Sequence, residues 1–188
     1  MSQLVGPHRL RHRHPAFASA VLVVALLGLV ACGDPPTTAG DAEGEGRPDE
    51  CAQPSSLDLA FGGAEVDFEA TDSVARHVDD ETWLVAIADG PVDLGSASSL
   101  GDLPDPPAEG TRVVLRLHSP DGPLRSGQTL TAADLGVGIS VATAGTEMPV
   151  TALGAQATVA YVDDTNICGT VSVTDEAVIG GSFVATVS

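Results

Sequence analysis

Past residue 32, the side chains able to do chemistry are two histidines, His77 and His118, two cysteines, Cys51 and Cys168, and a large surplus of carboxylates. Nucleophilic catalysis needs a base beside its nucleophile. The chain has no G-x-S-x-G elbow, and nothing selects one triad among its many serines and aspartates. His118 ends an outward strand face before a turn, and His77 sits among polar residues, so both are expected as surface groups. There is no lysine to form a Schiff base. Zinc would need clustered Cys and His, and no C-x2-C or H-x3-H spacing follows residue 32.

Calcium is the more natural metal for so many acids. Candidate ligands are Asp79, Asp80 and Glu81, then Asp163 and Asp164 with Asn166, then Glu65, Asp67 and Glu69 on one strand face. None fits the EF-hand loop, and a hard cation needs several oxygens converging in space. Solvated turns and faces are the competing account, so no metal and no cofactor are expected. Paired carboxylates could serve glycoside hydrolysis. Such sites carry aromatic sugar platforms, and the one tryptophan, Trp83, lies inside a buried-looking strand. The expectation is a domain without enzymatic activity of its own.

Position and charge narrow the setting. Residues 16–30 form an uncharged apolar run behind Arg9, Arg11 and Arg13, and Leu29-Val30-Ala31-Cys32 closes it. A basic stretch, an apolar stretch and small residues before a cleavage point make a secretory signal. Such a run is short for a span, which needs about 20 residues. The four closing residues resemble the lipobox of bacterial lipoproteins. That resemblance implies acylation of Cys32, removal of residues 1–31 and attachment to the extracytoplasmic face of a membrane through lipid alone. An uncleaved anchor or an ordinary secretion signal is the alternative. Gly33 leaves the choice of membrane open.

All 26 acidic residues follow Cys32, against five arginines. Such a balance repels nucleic acid and anionic headgroups, so no nucleic-acid partner is expected. An envelope protein or a glycan remains open as partner. With Cys32 assigned to lipid, Cys51 and Cys168 are an even pair in an exported chain, and oxidising compartments favour a disulfide between them. The chain-entropy model gives a loop of that length roughly 4–5 kcal/mol as an upper figure.

Residues 32–56 are rich in Pro, Gly, Thr, Asp and Glu and read as a disordered acidic tether. From residue 57 the pattern changes to short alternating stretches. Residues 57–61, 65–69, 82–88, 111–118, 138–143, 155–162, 167–174 and 178–187 read as strands, with Gly, Pro and Asp turns between. Val113, Leu115, Leu117, Val171, Val173, Phe183, Ala185 and Val187 should share one interior, with Arg112, Arg116 and His118 outward. Only 73–78 and 131–135 could hold a helical turn.

The expected fold is all-β: a single antiparallel β-sandwich over residues 57–188, or a small barrel. The stretches 169–174 and 180–185 read as a hairpin across Asp175-Glu176. They resemble the closing strands, GTVxV and GxFxA, of uncharacterised bacterial envelope proteins, which implies the sandwich and no activity. Residues 89–110 make a long loop holding Asp89, Asp93, Asp102, Asp105 and Glu109, either a partner-contact region or a disordered insertion. The functional expectation is a membrane-anchored, non-catalytic binding or structural module. An acidic cation-dependent enzyme or carbohydrate-binding module is the alternative.

Overall fold

A computed structural model describes residues 47–148, 150, 153–174 and 177–188. The Cys32 lipid site and residues 1–46 lie outside the described residues, as does the Asp175-Glu176 turn. The strands are β1 (Ser56–Phe61), β2 (Ala64–Val66), β3 (Asp72–Asp79), β4 (Thr82–Ala88), β5 (Thr111–His118), β6 (Thr129–Thr131), β7 (Val137–Thr143), β8 (Thr146–Met148), β9 (Gln156–Val162), β10 (Asn166–Thr174) and β11 (Ala177–Val187). Helix among the described residues is confined to two single 3-10 turns, Asp49–Ala52 and Leu100–Asp102.

One curled sheet runs β6-β9-β10-β11-β3-β4-β5-β7-β8, and β1 joins β11 and carries β2. The arrangement pivots on β11. Its first half pairs with β1, from Ala177↔Phe61 to Ser182↔Ser56. Its last residues, Thr186 and Val187, pair in parallel with Val74 and Ala75 of β3. An 11-residue strand can change neighbours in this way because its glycines lie mid-strand. Gly181 there has φ +142°, and a Cβ would collide with the Ser56 carbonyl. The short strands β2, β6 and β8 at the sheet's ends are three residues each. Short edges offer little template for pairing with another chain.

The alternating positions converge as their pattern requires. Val113, Leu115, Leu117, Val171, Val173, Phe183 and Ala185 are buried in one core cluster, and Val187 packs against it partly exposed. Leu57 and Leu59 of β1 join the same cluster, with Val85 and Ile87 of β4 and Val137, Ile139 and Val141 of β7. Both ends of the curled sheet therefore feed a single interior.

Four expectations are corrected. Residues 73–78 lie in strand β3, not in a helical turn, because Ser73, Ala75 and His77 pair with Ile87, Val85 and Trp83 of β4. The 65–69 stretch keeps only Glu65 and Val66 as strand, within Ala64–Val66, although Val66 and Phe68 do pack against the core. Residues 47–56 are not free tether. Cys51 is buried, Ser55 exchanges hydrogen bonds with the Val184 backbone at 3.0 and 2.9 Å, and Ser56 opens β1. The fourth concerns Arg112, which is buried at 7% exposure rather than facing water.

What buries Arg112 is the 89–110 segment, which is an ordered cover. It lays Leu94 and Ala97 on Leu84, Ala86 and Val114, making a second apolar cluster on the outer face of β4 and β5. This explains why β4 is buried at all seven positions while β10 from Gly169 onward and the first four residues of β1 alternate. The Arg112 guanidinium donates to the Pro104 carbonyl at 2.9 Å and reaches that of Asp105 at 3.4 Å.

Cys51 and Cys168 form a disulfide, with Cα atoms 5.7 Å apart and a sequence separation of 117. It ties the first 3-10 turn to β10.

Candidate functional site

The β3–β4 hairpin brings His77 opposite Trp83. Their rings lie 4.7 Å apart at 32°. A register shift between His77 and Asp79 lets the hairpin turn at Asp80 and Glu81. Asp79 holds that turn by accepting the Glu81 N–H at 3.0 Å. Burial acts to raise the Asp79 carboxyl, but hydrogen bonds from Thr82 and Glu81 outweigh it and hold the group below its ordinary value. His118, at the end of β5, shares a 3.2 Å hydrogen bond with the Thr82 hydroxyl.

A second turn, between β9 and β10, faces this hairpin across a cavity of about 440 Å³. That volume falls within the range of about 300–1,000 Å³ usual for small-molecule sites. His77, Trp83 and Asp80 line it from one side, Asp163 and Asp164 from the other, and Leu124, Val162 and Val187 supply apolar wall.

The two neighbouring aspartates differ. Asp163 is fully engaged: Oδ1 accepts the Thr165 and Asn166 N–H groups at 2.7 Å each and the Thr165 hydroxyl at 2.8 Å. Its Oδ2 accepts the Tyr161 hydroxyl at 2.8 Å. The backbone N–H of Thr165, the Tyr161 hydroxyl and the Thr165 hydroxyl hold this carboxyl well below the usual range. The same bond raises the Tyr161 phenol. Asp164 and Asp80 make no hydrogen bond among the described residues and are exposed.

Trp83 is 6% exposed, and no hydrogen bond among the described residues engages its indole N–H. Among those residues, the fully sealed side-chain polar atom without a partner is Arg112 Nε. The Trp83 Nε1 is therefore not closed off in the core.

Of the metal candidates, the structure brings Asp80, Asp163 and Asp164 to one cavity and leaves Asp79 and Glu81 in the hairpin turn. No group of three His, Cys, Asp or Glu able to hold a metal occurs among the described residues. Glu65 and Asp67 line a separate open groove beside β1 and β2. Asp89, Asp93, Asp105 and Glu109 line a cavity of about 330 Å³ at the edge of the 89–110 cover, with Arg112.

Sequence reasoning missed the pairing of His77 with Trp83. The signal was present, since residues flanking an acidic turn become cross-strand neighbours in a hairpin. No protein-family model, curated protein or solved structure matches this chain.

Proposed function

We propose that this chain is an extracytoplasmic lipoprotein held to a membrane by acylated Cys32. Its folded part then acts as a non-catalytic binding or structural module of the cell envelope. The observation that carries the reading is the Cys51–Cys168 disulfide, buried at both ends and closing a long loop. Structural disulfides of this kind persist in oxidising compartments. It agrees with the signal-like residues 1–31 and the lipobox pattern ending at Cys32.

In this reading the curled sheet closes as a β-sandwich. The support is a single core cluster fed by β3, β4, β5 and β7 on one side and β1, β9, β10 and β11 on the other. The carbohydrate-binding alternative gains from one feature, the aromatic and acidic lining of the Trp83 cavity.

Mass spectrometry of the mature N-terminus tests the anchorage. The expected species begins at an acylated Cys32, and Cys32→Ser releases the chain from the membrane fraction. A mature N-terminus elsewhere, with Cys32 absent or unmodified, overturns it.

A further inference from the structure

We infer that the groove beside β1 and β2 docks an extended basic segment of a partner protein, which adds to the sheet as a strand along the free edge of β1. The inference rests on the reading of this chain as a binding module and names the chemistry of what it binds.

The β1–β2 hairpin turns on Gly62 and Gly63, at φ +58° and +80°. A two-residue turn with both φ values positive makes its flanking residues, Phe61 and Ala64, a hydrogen-bonded pair. Such pairs alternate with non-bonded ones along an antiparallel ladder. Leu59 and Val66 are the next bonded pair, and Leu57 with Phe68 would be the third. The ladder stops at Leu59↔Val66. The Leu57 N–H and C=O therefore face away from β11, on an edge where no backbone partner meets them among the described residues.

Beside that edge lies the groove, of about 800 Å³. Val66, Phe68 and the exposed Val178 give it apolar walls. The exposed carboxylates of Asp58, Glu65 and Asp67 rim it without a hydrogen bond or ion pair among the described residues, and no arginine lines it. An extended segment pairs its backbone with Leu57 and sends alternate side chains to wall and rim. The rim selects lysine or arginine by charge. Nucleic acid and a second copy of this chain bring negative charge to it and are repelled, the formal charge being −18.

The purified chain is titrated with a heptapeptide of alternating lysine and valine. Parallel titrations use a peptide with proline for the central valine and one with glutamate for every lysine. Amide spectra and hydrogen exchange are the readouts. In the free chain the Leu57 amide is expected to exchange faster than that of Leu59. The lysine–valine peptide is expected to bind saturably, shift the Leu57 amide resonance and slow its exchange. The proline peptide keeps the charge but loses a donor, and binds about tenfold more weakly, the size of one lost hydrogen bond. Asp58→Asn with Asp67→Asn weakens binding about threefold to tenfold, with the melting temperature unchanged. No binding overturns the inference, as does equal binding of the proline or the glutamate peptide, or binding untouched by the double substitution. A Leu57 amide protected in a chain that sediments as a dimer overturns it in favour of self-pairing. Anchorage is read from the Cys32→Ser fractionation, so either reading can fail without the other.

Discussion

Across the outer face of β4 and β5, Asp72, Asp89, Asp93 and Asp102 each accept backbone N–H groups, while at the Trp83 end Asp80 and Asp164 accept none among the described residues. Asp72 holds the Val92 N–H at 2.9 Å, Asp89 holds that of Thr111 at 2.7 Å, and Asp102 closes a capping box with Ser99. Hydrogen bonds from Ser98 and Ser99 hold the Asp102 carboxyl well below its ordinary value. One set of aspartates builds a cover over apolar surface. The other is left at the rim of an opening. Acidic composition alone does not distinguish the two uses; the backbone donors within reach do.

The largest effect should come from the cross-link that staples the start of the fold to β10. Replacing Cys51 and Cys168 by Ala removes a bridge that spans a sequence separation of 117. The expected loss is about 4–5 kcal/mol by the chain-entropy model, read by urea unfolding. A loss below about 1 kcal/mol would show that the bridge adds little to what already holds the first 3-10 turn in place.

Next comes the cover itself. Leu94 is 1% exposed and lies in the outer apolar cluster. Leu94→Ala should cost about 2–4 kcal/mol if the 89–110 segment unfolds with the rest. A small cost with an unchanged unfolding slope would make the segment a separately melting unit. Gly110, where the cover rejoins β5, has φ +76°, and a Cβ there would collide with the Asp89 carboxylate. Gly110→Ala should therefore cost about 1–3 kcal/mol, measured in the same way.

The inner face was legible in the sequence because its period is two. Val113, Leu115 and Leu117 announce one buried side, and they lie in the core. The outer face was not legible. Arg112 reads as the solvent side of an alternating strand, and only a segment folding back over it and its neighbour Val114 makes them interior. The short strands β6 and β8 escaped for a related reason: so few residues carry no period. The disulfide was legible from count and compartment. The Trp83 cavity was not, because its two walls come from turns far apart in the chain, at Asp80 and at Asp163 and Asp164.

The smallest expected effect separates two adjacent residues. Asp163 accepts four hydrogen bonds in the β9–β10 turn, and Asp164 accepts none among the described residues. Asp163→Ala should lower the melting temperature by a few degrees at pH 7. Asp164→Ala should leave it nearly unchanged, within about 0.5 kcal/mol as for an unengaged surface site. The pH dependence follows from the direction of the Asp163 shift. Its carboxyl is held below the unfolded value of about 4, so as pH falls the folded state takes up this proton later than the unfolded chain does. Its stabilisation is present above that value and is lost as pH falls toward the folded one. The gap between wild type and Asp163→Ala should therefore be full at pH 7 and narrow progressively below about pH 4. Melting curves at about pH 7, 4 and 2.5 read this directly. A gap that stays constant across that range would mean that Asp163 acts through shape alone, and the contrast with Asp164 would then rest on packing rather than on charge.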